Sequence, residues 1–129
     1  IKNKKVILID DSIVRGTTAN KIVNMVFEAG AKEVHLGISC PPIKFPDYYG
    51  IDTPNYNELI ASNNDIISMT KIVGATSLFF LSLSGTYKAM GYNRRDNVNP
   101  QFSDHCFTGE YPIEIEEINN AKQKNDKRK

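Results

Sequence analysis

The chain has 129 residues, 40% hydrophobic and 24% charged, enough for one domain with a buried core and typical of soluble globular proteins. A formal net charge of +1 gives no reason to expect nucleic acid or an anionic membrane as partner. No apolar run reaches the ~18 residues of a membrane-spanning helix. The two cysteines, Cys40 and Cys106, make no disulfide scaffold, and reduced thiols in a cytoplasmic protein are the simpler expectation.

The chain opens on Ile1 and enters an apolar run within a few residues. That start predicts a piece of a longer protein, with the missing part on the N-terminal side. Val6-Ile7-Leu8-Ile9 is continuously apolar, the pattern of a strand buried on both faces of a parallel sheet. Asp10-Asp11-Ser12 stops it. Ile22, Val23, Val26 and Phe27 recur at helical spacing over 19–29, and Gly30 suits the residue just past a helix end. Val34 to Cys40 reads as a second strand, completing a βαβ unit.

Pro41, Pro42 and Pro46 forbid regular helix or central strand and predict a long loop with surface or functional contacts. Tyr56 to Ala61 predicts a short helix. A second covers Asp65 to Val73, capped by Asn64 or Asp65 and ended by Gly74. Leu78 to Leu83 reads as a third strand and Ser84 to Met90 as a short helix. Residues 91–105 are polar and irregular, and Phe107 to Ile115 reads as an edge strand. The fold class expected is thus α/β with a parallel sheet. Lys122, Lys124, Lys127, Arg128 and Lys129 crowd the C-terminus. Residues 116–129 are expected to be a charged, disordered tail.

The chemistry concentrates in the loop after the first strand. In open parallel sheets, ligands bind at the carboxyl ends of the strands, where Asp10 and Asp11 stand. Adjacent carboxylates repel. A vicinal diol shared between them, or a hydrated Mg²⁺ nearby, would relieve the repulsion. Arg15 to Thr18 then leads into a helix, whose first N–H groups and dipole favour an anion. Gly16 permits close approach, and the hydroxyls of Ser12, Thr17 and Thr18 add donors. Diol and phosphate sites side by side describe a ribose 5-phosphate. The plainer reading is a capping turn at Asp-Asp-Ser and an N-cap at Thr17-Thr18. Neither a Walker loop nor Gly-x-Gly-x-x-Gly is present.

Ile9-Asp-Asp-Ser-Ile-Val-Arg-Gly-Thr-Thr18 resembles the phosphoribosyl pyrophosphate motif of type I phosphoribosyltransferases. Within them it is most similar to the glutamine-dependent amidophosphoribosyltransferases of purine synthesis. Glu28 to His35, Pro41 to Pro46, Tyr49 to Pro54, Glu58 to Ala61, Ile72 to Ala75, Ser77-Leu78 and Cys106 to Pro112 continue the likeness in order. It covers roughly residues 4–115, so residues 1–115 are expected to be the C-terminal portion of the transferase domain.

The resemblance implies an enzyme whose N-terminal glutaminase releases ammonia, which displaces pyrophosphate from phosphoribosyl pyrophosphate to give 5-phosphoribosylamine. Asp10 and Asp11 would hold the ribose hydroxyls and help place Mg²⁺. Ser12, Arg15, Gly16, Thr17 and Thr18 would bind the 5′-phosphate; the alternative for Arg15 is a side chain in solvent with only its N–H engaged. No residue here is catalytic beyond positioning substrate, and this piece alone is expected to be inactive. Purine nucleotides are the expected feedback inhibitors, and a homo-oligomer the expected assembly. Some members carry a [4Fe–4S] cluster on four cysteines, of which three would fall near Asp47, Pro100 and Ser103. None of these is Cys, so no iron–sulfur cluster is expected. His105 beside Cys106 lacks further ligands for a metal site. A binding-only regulator of the same fold, sensing phosphoribosyl pyrophosphate or nucleotide, is the alternative. An adaptor fragment with a relic motif is a weaker one. A receiver-type phosphoacceptor needs an Asp on a later strand, and neither later strand has one.

Overall fold

The computed structural model describes residues 1–51, 53 and 55–113. Three parallel strands form one sheet in the order β1-β2-β3: Lys5–Asp10, Glu33–Ile38 and Ser77–Phe80. Helix α1, Thr17–Glu28, connects β1 to β2, so the expected βαβ unit is present. Its apolar stripe puts Ala19 and Val23 inside, with Val26 and Phe27 half-buried against them. Gly30, at φ +91°, turns the chain out of the helix and toward β2.

Helices α2 (Ile60–Asn63) and α3 (Ile66–Val73) lead to β3. The Asp65 side chain caps α3 by accepting the Ser68 N–H, and Gly74 ends it in a left-handed conformation. The core joins Val23 of α1, Val34, Leu36 and Ile38 of β2, Met69 and Val73 of α3, and Leu78 of β3. This parallel-sheet architecture is the fold class read from the sequence.

Several boundaries differ. The first predicted helix after the Pro-rich loop begins late, because 56–58 form a turn and α2 starts only at Ile60. Strand β3 stops at Phe80, since Ser82 accepts the Gly85 N–H and so caps helix α4, Leu83–Ala89. Leu81-Ser82-Leu83 was therefore a helix entrance rather than strand. The predicted edge strand from Phe107 is absent over the described residues. His105–Thr108 is a single helical turn, α5, closed by Gly109 at φ +75°. A side chain at Gly109 would fall 2.8 Å from Phe45, so that turn is fixed by packing against the Pro-rich loop. Glu114, Ile115 and the expected tail lie outside the described residues.

Strand β1 also corrects the reading that both its faces are buried. Ile7 and Ile9 are 67% and 69% exposed, while Leu8 packs on the core. Among the described residues β1 is an edge strand, and the packed helices leave its Ile7–Ile9 side open. Ile9 and Phe79 lean over Gly37 between them, where a Cβ would come within 2.9 and 2.5 Å of their side chains.

Candidate functional site

The loop between β1 and α1 begins on a clamped strand end. Asp10 pairs with Ile38 in the register, and its carbonyl accepts both the Ser39 N–H (2.9 Å) and the Ser39 hydroxyl (2.7 Å). The first carboxylate is turned back on its own chain, Asp10 Oδ1 accepting the Asp11 N–H at 3.0 Å. Asp11 Oδ1 accepts the Ser12 hydroxyl at 2.9 Å. Among the described residues, the second oxygen of each carboxylate has no hydrogen-bond donor. Two neighbouring acids thus each keep one acceptor for a ligand, side by side at a strand's carboxyl end.

Ile13, 3% exposed, pins the middle of the loop into the core. Gly16 then sets the helix entrance. It is the N-cap of α1 at φ +81°, and no side chain caps this end. The first helical bond runs from Asn20 N–H to the Gly16 carbonyl, at 2.9 Å. The N–H groups ahead of it have no partner inside the helix. The structure therefore answers the N-cap reading directly. Thr17 and Thr18 lie inside the first turn rather than at the cap, and both are exposed. Their hydroxyls and the uncapped amides stand at the same helix end.

An unbroken run from Asp10 to Ala19 lines a depression of about 290 Å³. All seven residues singled out in the sequence, Asp10, Asp11, Ser12, Arg15, Gly16, Thr17 and Thr18, line it. The arrangement offers acceptors at one end and amide and hydroxyl donors at the other. A polyol phosphate, with or without a cation on the acids, fits that polarity; a fully apolar ligand does not.

Sequence reasoning left out the residues that hold this loop. Glu58 accepts the Arg15 Nε–H at 2.9 Å, with both side chains about half exposed. The Ile60 N–H donates to the Val14 carbonyl at 2.9 Å. The Ile60 side chain lies under Gly16, 2.8 Å from where a Cβ would sit. Ser39, Glu58 and Ile60 come from three different places along the chain, and no local motif marks them.

A second polar cluster ties the Pro-rich loop to the C-terminal segment. Asp47 Oδ2 and His105 Nε2 are 2.6 Å apart, and both side chains are 5% exposed. The Tyr49 and Tyr111 rings flank that imidazole at 5.0 and 5.1 Å. Burial alone would raise the Asp47 carboxyl, but the Tyr49 and Ile51 amides and His105 outweigh it and hold it below the usual range. Nearby, Asp104 accepts from Tyr87 and from Arg95, which also reaches Glu110. Burial, reinforced by Cys106 and Asp11, pushes the Cys40 thiol up to about 11. Burial likewise raises Cys106, so both remain thiols at neutral pH. Among the described residues, no three His, Cys, Asp or Glu side chains are grouped to hold a metal ion. No helix among them is long and apolar enough to cross a membrane.

No family model matches the chain. Its relatives are nonetheless consistent. It is 53% identical over 116 residues to the amidophosphoribosyltransferase of Rhizobium etli, covering 89% of this chain and 23% of that protein. The glutamine phosphoribosylpyrophosphate amidotransferase of Bacillus subtilis, solved in complex with ADP and GMP, superposes with a TM-score of 0.80 at 49% identity. That match covers 89% of this chain and 25% of the other.

This chain matches part of an amidophosphoribosyltransferase.

A second solved structure, described as the allosteric regulatory enzyme of purine biosynthesis, gives a TM-score of 0.74 at 44% identity over 89% of this chain and 24% of that one. The chain spans about a quarter of the length of the amidophosphoribosyltransferases it matches.

Proposed function

We propose that this chain supplies the ribose 5-phosphate site of an amidophosphoribosyltransferase, the enzyme that converts phosphoribosyl pyrophosphate and glutamine to 5-phosphoribosylamine in purine synthesis. The observation that carries it is the single depression in which two half-engaged carboxylates face an uncapped helix start. Asp10 and Asp11 take the 2′- and 3′-hydroxyls. Ser12, the amides of Arg15 to Thr18 and the hydroxyls of Thr17 and Thr18 take the 5′-phosphate. These residues fix the sugar at both ends, which sets C1 toward an incoming ammonia. They are positioning groups, and none supplies a nucleophile or a proton.

Mg²⁺ belongs to the proposal. Two adjacent carboxylates with one oxygen each to spare suit a cation that keeps most of its waters and takes other ligands from substrate. Asp10 and Asp11 would help hold it, and its charge would offset that of the departing pyrophosphate. An iron–sulfur cluster does not fit. The position near which a thiolate would be needed, Asp47, is engaged in a buried hydrogen bond with His105. Purine nucleotides would compete by placing their own ribose phosphate in the same turn. A glutaminase domain elsewhere in the longer protein, a homo-oligomeric state and a cytoplasmic location complete the proposal. The piece described here would not turn over substrate alone.

A crystal soaked with ribose 5-phosphate and Mg²⁺ tests the placement. Phosphate density at the backbone of Arg15 to Thr18, with the sugar hydroxyls on Asp10 and Asp11, is expected. Density elsewhere, with this turn empty, would overturn it.

A further inference from the structure

Glu58 lies 43 residues beyond Arg15 and is not part of the sugar-phosphate motif, yet its carboxylate takes the Arg15 Nε–H. The bond is selective within the guanidinium. Only Nε is engaged, and the terminal nitrogens make no hydrogen bond among the described residues. Arginine presents five N–H donors in a rigid plane. A carboxylate on Nε therefore leaves the outer edge of that plane available to a second anion and limits the rotation that would carry it away.

The stretch that bears Glu58 is fixed to the same loop by two further contacts. Ile60 N–H donates to the Val14 carbonyl at 2.9 Å, and Ile60 Cδ1 packs beneath Gly16. The carboxylate itself leaves a closed turn, with the Glu58 N–H on the Asn55 carbonyl at 2.9 Å. Leu59 beside it is fully buried. Glu58 thus sits on a rigid base bonded to the loop it serves. An unheld arginine loses rotamer freedom on being fixed, and a partner that holds it in advance removes part of that cost from ligand binding.

We propose that Glu58 is a positioning residue for the 5′-phosphate, aiming Arg15 at an anion bound in the Arg15–Thr18 turn. The inference rests on the ribose 5-phosphate reading of that turn. It assigns Glu58 an orienting role and not that of a competitor for the guanidinium, since a competitor would occupy the terminal nitrogens. An exposed ion pair is worth up to about 1 kcal/mol, so its removal should change affinity by up to about fivefold.

The test uses the full-length protein that contains this chain. Steady-state kinetics are measured for the parent, Glu58→Gln, Arg15→Ala and the double variant. Glu58→Gln should raise the KM for phosphoribosyl pyrophosphate, by up to about fivefold, with kcat and the glutamine KM unchanged. In the Arg15→Ala background the same substitution should have no further effect, because there is no guanidinium left to aim. Glu58→Asp should recover part of the loss. An unchanged or lowered KM in Glu58→Gln would overturn the orienting role, and so would an equal loss in the Arg15→Ala background. The ribose 5-phosphate reading is judged separately by Asp10→Asn/Asp11→Asn. If that variant loses substrate binding while Glu58→Gln does not, only the role of Glu58 fails. If the acid variant binds normally, the reading of the site itself fails.

Discussion

Ile60 Cδ1 occupies the space that a side chain on Gly16 would need, 2.8 Å from the ideal Cβ position. Gly16 also sits at φ +81°, a conformation that costs an L-residue about 1–2 kcal/mol. Two independent constraints therefore select glycine at the start of α1. Gly16→Ala should lower stability by about 2 kcal/mol or more, combining backbone strain with overpacking. Ile60→Val in that background removes the colliding methyl and should recover the steric part only. Chemical denaturation of the variants checks both statements, and unchanged stability in Gly16→Ala would contradict the tight turn.

The acid Asp104 holds the irregular segment after α4. Its carboxylate accepts the Tyr87 hydroxyl at 2.7 Å and the Arg95 guanidinium at 2.5 and 3.1 Å. Burial pushes this carboxyl up, but the bonds to Arg95 and Tyr87 outweigh it and the net shift is downward. A depressed carboxyl stabilises the fold above its unfolded pKa of about 4, and the contribution is lost as pH falls through the lower folded value. Asp104→Asn removes the buried partner of Arg95 and leaves it paired with Glu110 alone, which should cost about 2 kcal/mol near neutral pH. It should also flatten the acid limb of the stability profile. Urea titrations of parent and variant between neutral pH and the acid range read this out. An acid limb of the same slope in both would exclude Asp104 as its source.

The Asp47–His105 pair bears on the expected absence of a cluster. Each partner is held: Asp47 by the Tyr49 and Ile51 amides, His105 by the flanking tyrosine rings. The full-length protein, purified without oxygen, should contain neither stoichiometric iron nor acid-labile sulfide. Finding both would contradict the account. Asp47→Ala should destabilise by about 2 kcal/mol by leaving the buried His105 ring nitrogen without its hydrogen-bond partner.

The chemistry of the site was legible because it is local. Asp10 to Thr18 is one loop, and a strand end, two acids, a glycine and two hydroxyls are visible in any order of reading. The caps at Asp65 and Gly74 were legible for the same reason. What held the loop in place was not. Ser39, Glu58 and Ile60 reach it across 29 to 46 positions, and nothing in their neighbours reveals that reach. The error at β1 has a related cause. A continuous apolar run reports that a strand's two faces are suited to burial, but not whether the partner for each face lies within the same 129 residues. At Leu81 to Leu83 hydrophobicity favoured strand, and the Ser82 cap, a single hydrogen bond to Gly85, decided for helix.

Binding of phosphoribosyl pyrophosphate with Mg²⁺, measured by calorimetry on the full-length protein and its Asp10→Asn/Asp11→Asn variant, bears most directly on the sugar-phosphate site. The variant keeps the size of both side chains and the turn behind them while removing the two negative charges and half of the diol acceptors. Affinity should fall at least about a hundredfold, two charged hydrogen bonds at about 1.5 kcal/mol each. Equal affinity in parent and variant, with both folded, would contradict the assignment.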